Sequence, residues 1–142
     1  MKKTTVVLIC CSILIYGFSN KNYSNLELAK AVHQVESSGR TDKNIIGDNG
    51  RAIGPLQIHY SNWKDAVEFD KTIGGKYLDC HKLEYSKLIF DAYLRRYGNG
   101  KSPEDKARIW NGGPKGNQKN LTLAYWKKVK ANLWVFYYLK NI

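Results

Sequence analysis

Cysteine is scarce in this chain of 142 residues, which has only Cys10, Cys11 and Cys80. The first two lie in an apolar N-terminal stretch, so the rest of the chain has one cysteine and no internal disulfide. A domain without such crosslinks must be held together by packing. We therefore expect Cys80 to be a buried thiol in a hydrophobic core.

Histidine is equally sparse, and His33, His59 and His81 are not spaced with a third ligand as a zinc site requires. The chain also lacks a serine nucleophile elbow, a Walker loop and a dinucleotide-binding glycine fingerprint. These absences disfavour metal and nucleotide chemistry. We expect no metal and no cofactor.

The N-terminus has the features of an export signal. Lys2 and Lys3 precede a short apolar run from Val6 to Ile15, and a small residue, Ser19, follows. The run is too short to span a bilayer stably, so we predict a signal peptide over residues 1–19 and a secreted or periplasmic protein. Lipid attachment at Cys10 and an uncleaved anchor are the alternatives.

Residues 20–142 are enough for one compact core and not for two, so they form one predicted domain. Loss of Lys2 and Lys3 would lower the formal net charge from +11 to +9. Such an excess favours a polyanionic partner: cell-wall polymer, a membrane surface or nucleic acid. The basic residues are scattered and form no nucleic-acid motif, so we expect an anionic cell wall and no nucleic acid.

Apolar spacing and capping signals predict a mainly helical α+β domain. Ser24 and Glu27 have capping-box spacing and open a helix that ends near Gly39. Between Asn44 and Ile58, short apolar pairs separated by glycines predict a small hairpin or irregular sheet. Further helices are predicted over Trp63–Thr72, from Leu83 to Tyr97, from Pro103 to about Asn111, and over about Leu123–Leu139.

Two acidic residues stand out in this arrangement. Glu36 lies at the end of the first helix, and Asp48 lies in the glycine-punctuated segment after it. Cleavage of a sugar acetal needs an acid to protonate the departing oxygen and an anion to support the positive anomeric carbon. The negative end of the helix dipole and apolar packing suit Glu36 to the acid role. Nearby backbone donors and solvent suit Asp48 to the anion role.

The pair alone does not decide the function. An acidic residue before Ser37-Ser38-Gly39 is usually a solvated helix end, and Asp48-Asn49-Gly50 is usually only a turn. Other segments therefore have to support the carboxylate hypothesis.

Four segments in the same order resemble motifs of the invertebrate-type (destabilase) lysozyme family. They are Val35-Glu36-Ser37-Ser38-Gly39, Gly54-Pro55-Leu56-Gln57-Ile58 with Asp48 nine positions before Gln57, Ala92–Tyr97, and Ala107–Pro114 followed by Thr122 and Tyr125-Trp126. The resemblance spans about residues 29 to 130. It implies a lysozyme-like fold.

The resemblance further implies a retaining muramidase that cleaves the β-1,4 bond between N-acetylmuramic acid and N-acetylglucosamine in peptidoglycan glycan strands. By position, Glu36 would be the acid/base and Asp48 the nucleophile or charge stabiliser. The residues that would bind the sugar are Gln57, Asn111 and Gly112, with Tyr60, Trp110 and Tyr125 as aromatic walls. Each of these aromatics could equally belong to the core.

The chain departs from the family in two ways. It has far fewer cysteines than the animal members, and Trp110 stands where the family usually has histidine, so the isopeptidase activity described for some members is not expected. Two alternatives to hydrolysis stay open. A lytic transglycosylase would use Glu36 alone, and a non-catalytic wall-binding protein would use neither carboxylate.

Overall fold

The computed structural model describes residues 23–42 and 44–140. The predicted signal peptide of residues 1–19 lies outside these ranges. The described residues form the helices and strands of an α+β domain, as predicted. The elements, in chain order, are α1 (Asn25–Ser37), β1 (Ile46–Gly47), β2 (Ala52–Ile53), β3 (Ile58–His59), α2 (Tyr60–Phe69), α3 (Leu83–Tyr97), α4 (Pro103–Gly112) and α5 (Leu123–Lys140).

Helix α1 begins at the predicted capping box. The Glu27 amide donates to the Ser24 hydroxyl at 3.2 Å, and the Ser24 amide donates back to the Glu27 carboxylate at 3.0 Å. The helix ends at Ser37, and the capping residue Ser38 adopts a left-handed conformation with φ of 55° and donates its amide to the carbonyl of Gln34. This end places Glu36 in the last turn, so a rigid helix carries its carboxyl group.

The sheet is small and antiparallel. Strand β2 lies between β1 and β3, and each strand is two residues long. Ile53 of β2 pairs with Ile46 on one side and with Ile58 on the other. Asp48 lies in the 3₁₀ turn between β1 and β2, so the predicted sheet is present and carries the second carboxylate.

Helix α2 lies three residues earlier than predicted at both ends, so the predicted bounds of Trp63–Thr72 were wrong. The chain passes straight from β3 into the helix, and His59 precedes it without a side-chain capping bond that the sequence could have signalled. At the other end, the Asp70 carboxylate accepts hydrogen bonds from the amide and the hydroxyl of Thr72. These local bonds compete with the helix and end it early.

The remaining helices follow the predictions closely. Helix α3 has the predicted bounds, and α4 begins at Pro103 behind Ser102, whose hydroxyl accepts from the Asp105 amide at 3.1 Å. Helix α5 ends one residue beyond the predicted Leu139. No helix of the described ranges 23–42 and 44–140 is long and apolar enough to cross a membrane.

One hydrophobic cluster joins these elements, with Val32 of α1, Phe90 of α3 and Ile109 of α4 among its fully buried members. Cys80 is buried in the same cluster, as predicted, and burial raises the pKa of its thiol to about 12. The Cys80 carbonyl accepts from the Ser86 hydroxyl at 2.6 Å. Packing therefore fixes the loop before α3 without a crosslink.

Candidate active site

A polar groove of about 480 Å³ opens between the end of α1, the sheet, the start of α2 and the end of α4. Both acidic residues singled out in the sequence lie in it, on different elements. The lining residues are Glu36, Asp48, Ala52, Gln57, His59, Ser61, Asn62, Trp110, Asn111 and Gly113.

Glu36 is the partly buried carboxyl group of the groove. Its Oε1 accepts a hydrogen bond of 2.6 Å from the hydroxyl of Tyr125 in α5, 89 residues away in the chain. Burial raises the pKa of Glu36 above its ordinary value, while the Tyr125 hydrogen bond and the positive charge of Lys128 oppose that rise. Because burial is the largest influence, Glu36 keeps its proton to a higher pH than an exposed glutamate.

Asp48 has a different environment. Its side chain is 42% exposed, and Oδ1 accepts from Nη2 of Arg51 at 2.8 Å. On the other oxygen, Oδ2 lies 3.4 Å from Nε2 of His59. Asp48 and Asn49 both have positive φ, of 48° and 54°, a conformation that these two residue types tolerate better than most. Asp48 is thus presented to solvent from a tight turn, with basic side chains on both of its oxygens.

Arg108 of α4 stabilises the α4 side of the groove through hydrogen bonds to the loop that follows the helix. Its guanidinium donates to the Thr122 hydroxyl at 3.0 Å and to the Lys119 carbonyl at 3.2 Å. The Thr122 hydroxyl in turn donates to the Gly116 carbonyl at 2.7 Å. These bonds hold the chain that follows Gly113, so a hydrogen-bonded loop supports this edge of the groove.

Three of the predicted sugar-binding residues, Gln57, Trp110 and Asn111, lie in the groove lining. Gln57 has a φ of 47°, and its side-chain amide donates to the Gly54 carbonyl at 2.9 Å. A β-carbon on Gly47 would come within 1.9 Å of the Gln57 Oε1, so that side chain lies directly over the glycine. Trp110 is only 4% exposed, and most of its ring belongs to the core.

The other three predicted sugar-binding residues lie outside the lining. Tyr60 is 56% exposed, and its ring contacts those of Trp63 and Tyr77. At Gly112, a β-carbon would come within 2.7 Å of Thr122 Cγ2, so this glycine permits close packing, while the next residue lines the groove. Tyr125 contacts the oxygen of Glu36 instead.

Sequence reasoning missed His59, Ser61 and Asn62, which line the groove at the junction of β3 and α2. They follow the predicted Gln57 within five positions. Because the predicted start of α2 was three residues too late, the sequence did not indicate that these residues lie together. Arg51 was also missed as a partner of Asp48. Its spacing of three residues from Asp48 within a tight turn was an available signal.

Within residues 23–42 and 44–140, no group of three or more His, Cys, Asp or Glu side chains could hold a metal ion. The lining residues with ionisable side chains are Glu36, Asp48 and His59. An acid on one element and an anion on another can serve acid-assisted cleavage of an acetal.

No protein-family model matches the chain. Lysozyme 1 of Crassostrea virginica is 35% identical over 88 residues, which cover 58% of this chain and 46% of that protein. The chain thus spans about half the length of this relative. Invertebrate-type lysozyme 6 of Caenorhabditis elegans is 27% identical over 136 residues, which cover 85% of this chain and 94% of that protein.

Solved structures of lysozymes are also similar to the chain. Meretrix lusoria lysozyme, in complex with Aeromonas hydrophila PliI, has a TM-score of 0.62 and 27% identity. Tapes japonica lysozyme has a TM-score of 0.62 and 26% identity. Each match covers 72% of this chain and 85% of the other.

The fold is therefore lysozyme-like, a helical domain whose small sheet borders a polar groove. The chain is similar in sequence and in fold to invertebrate-type lysozymes, which are glycoside hydrolases, and the resemblance seen in its motifs is confirmed.

Proposed function

We propose that this protein is a peptidoglycan hydrolase, a muramidase that cleaves the β-1,4 bond between N-acetylmuramic acid and N-acetylglucosamine. The observation that carries the proposal is the pairing of unlike carboxyl groups in one groove. Glu36 is partly buried with a raised pKa, and Asp48 is exposed beside Arg51 and His59. The similarity of the chain to lysozymes supports the same reaction.

In the first step, Glu36 donates its proton to the glycosidic oxygen as the bond from that oxygen to the anomeric carbon breaks. The raised pKa of Glu36 supports this role because the protonated form persists towards neutral pH. The leaving sugar departs with the transferred proton as a free hydroxyl group, and Glu36 becomes a carboxylate. No other proton donor is needed.

Asp48 acts at the anomeric carbon in the same step. In a retaining mechanism its carboxylate forms a bond to that carbon as the glycosidic bond breaks. A water molecule then attacks the anomeric carbon, releases Asp48, and gives its proton to the Glu36 carboxylate. The cycle consumes one water and restores both groups. The exposure of Asp48 supports this role because water can reach it.

The groove lining supplies groups that suit a glycan. The amides of Gln57 and Asn111 can pair with acetamido and hydroxyl groups, and Asn62 and Ser61 add further polar contacts. We propose that Tyr60, Trp110 and Gly112 shape the wider binding surface, and that an anionic cell wall is the macromolecular partner.

The test is a digest of purified peptidoglycan by residues 20–142, analysed by mass spectrometry. A muramidase releases fragments that end in reducing N-acetylmuramic acid. Fragments that end in 1,6-anhydro sugars would replace the hydrolase with a lytic transglycosylase. Binding to the wall without new ends would replace it with a non-catalytic wall-binding protein.

We also propose that the protein is exported, with residues 1–19 removed as a signal peptide. The N-terminal pattern of Lys2, Lys3 and the apolar run supports the proposal, as does a substrate that lies outside the cytoplasm. Expression of the full chain in a bacterial host, followed by N-terminal sequencing of the exported product, tests it. A product that retains Met1 would contradict cleavage.

A further inference from the structure

The contact between Tyr125 and Glu36 is the one direct link between α5 and a carboxyl group of the groove among the described residues. The phenol oxygen lies 2.6 Å from Oε1, a short distance for a hydroxyl donor and a carboxyl acceptor. Tyr125 is not part of the groove lining. The Tyr125 hydroxyl therefore forms a hydrogen bond with one oxygen of Glu36 without itself lining the groove.

We propose that Tyr125 is a positioning residue whose hydroxyl holds Oε1 of Glu36, so that Oε2 is the oxygen that delivers the proton to the glycosidic oxygen. This inference rests on the proposed muramidase function and deepens it. A carboxyl group has two oxygens and one proton. If Oε1 accepts the phenol hydrogen bond, the proton resides on Oε2.

The same contact serves both halves of the reaction. After Glu36 has given up its proton, the phenol donates to a carboxylate, and hydrogen bonds to a charged acceptor are stronger than those to a neutral one. Burial and the nearby Glu36 carboxyl raise the pKa of Tyr125 well above its ordinary value. Tyr125 thus stays a hydrogen-bond donor at neutral pH. Oε2 then accepts the proton of the attacking water.

Tyr125 and Lys128 both act on the pKa of Glu36, and their effects have to be separated. Lys128 of α5 lowers the pKa of Glu36, as Tyr125 does. Asp48 and His59 face the groove from the sheet side, whereas Trp110 and Asn111 of α4 bring no charge. Removal of the Tyr125 hydroxyl takes away one influence that lowers the pKa of Glu36, so that pKa should rise further.

The decisive variant is Tyr125→Phe. We expect kcat to fall about tenfold or more, because a hydrogen bond to a charged group is lost, while KM changes by less than about twofold. The pKa of Glu36, followed by NMR of the ¹³C-labelled carboxyl carbon, should move upward. The pH-rate profile should shift in the same direction.

The matched control is Tyr97→Phe. Tyr97 is also partly buried and donates to a carboxylate, Asp65, at 3.0 Å, but neither residue lines the groove. We expect this variant to lose some thermal stability and to keep the kcat, the KM and the pH profile of the wild type. An effect on kcat equal to that of Tyr125→Phe would show that a general loss of rigidity is responsible and would overturn the inference.

Two other outcomes would overturn it. A higher KM with unchanged kcat in Tyr125→Phe would make Tyr125 a sugar contact, and a lower melting temperature with an unchanged Glu36 pKa would make it purely structural. If Tyr125→Phe does not fold, the hydroxyl proton of Tyr125 in the wild type decides. It should resonate far downfield and shift as Glu36 titrates, and a solvent-averaged proton would contradict the bond. A wild-type protein that cleaves no glycan would instead refute the proposed function, while the NMR titration would still report the Tyr125 contact.

Discussion

The two sides of the groove are built in opposite ways. Glu36 stands on α1, a helix of 13 residues that packs in the core, and it is reached by a side chain from α5. Asp48 stands in a turn between strands of two residues, where both it and Asn49 have left-handed conformations. The first carboxyl group is partly buried and the second is exposed.

This difference shows how one groove can give two carboxyl groups different environments. A helix packed in the core removes solvent from the carboxyl group at its end, which favours the protonated form. A short exposed turn leaves its carboxylate in solvent and brings it close to Arg51 and His59. The supporting element thus sets how far each carboxyl group is exposed to solvent.

The largest effect is expected from Glu36→Gln, which removes the proton donor of the helix side. Activity on peptidoglycan should fall by about 10²–10⁴-fold, the usual contribution of a general acid. Burial raises the pKa of Glu36 above its ordinary 4.5, so the ionised form costs the folded state stability as pH rises through the raised pKa. The variant should therefore match or exceed the melting temperature of the wild type at pH 7, and the difference should vanish at low pH. Wild-type turnover would remove Glu36 from the acid role.

The next largest effect is expected from Asp48→Asn on the sheet side. Loss of this charge should lower the rate by about 10²–10³-fold, as removal of one preorganised electrostatic group does. Asp42→Asn is the control, because Asp42 is also an exposed aspartate paired with an arginine, Arg40, and lies outside the groove. Kinetics on a soluble oligosaccharide provide the measurement. Near-normal activity of Asp48→Asn with 1,6-anhydro products would support a transglycosylase.

The sheet side can also be disturbed through its backbone. Gly54 has a φ of 75°, and a β-carbon there would lie 1.8 Å from the Cys80 carbonyl oxygen, so Gly54→Ala should destabilise the fold by about 2 kcal/mol or more. Gly50 also has a positive φ, of 88°, but open space around it, so Gly50→Ala should cost only about 1 kcal/mol. Urea unfolding compares the two. Equal losses of unfolding free energy would mean that the loop before α3 moves away from the added methyl group at little cost. The contact with that loop would then not fix the position of the sheet.

The smallest effect should come from salt, which acts on the surface as a whole and on neither side of the groove. Activity on intact cell walls should fall about tenfold as ionic strength rises to the physiological value, because screening reduces the attraction of a basic protein to a polyanion. Hydrolysis of an uncharged chito-oligosaccharide should change much less. Equal salt sensitivity on both substrates would place the effect in the groove or in folding.

Local signals were sufficient for much of the fold. The capping box at Ser24 and Glu27, the proline at Pro103 and the glycine at Gly98 each mark a boundary within a few residues, and the structure has helix ends there. The start of α2 was misplaced because no capping side chain precedes it. Boundaries set by tertiary context leave no such mark in the sequence.

The candidate site was predictable only in part, for a similar reason. Glu36 and Asp48 could be found because each lies within a short recognisable motif. The role of Tyr125 could not, because its contact with Glu36 joins residues 89 positions apart and depends on how α5 packs against α1. Pattern alone suggested a sugar-stacking aromatic, whereas its hydroxyl is the group that meets Glu36.

The buried thiol of Cys80 has a practical consequence. In a chain that begins at residue 20 it is the single cysteine, it has no exposed surface, and its pKa of about 12 leaves almost no reactive thiolate at neutral pH. A thiol reagent can therefore modify the native protein only when the core opens. The rate of that modification therefore measures how fast the domain opens. Added reductant should leave the native fold unchanged.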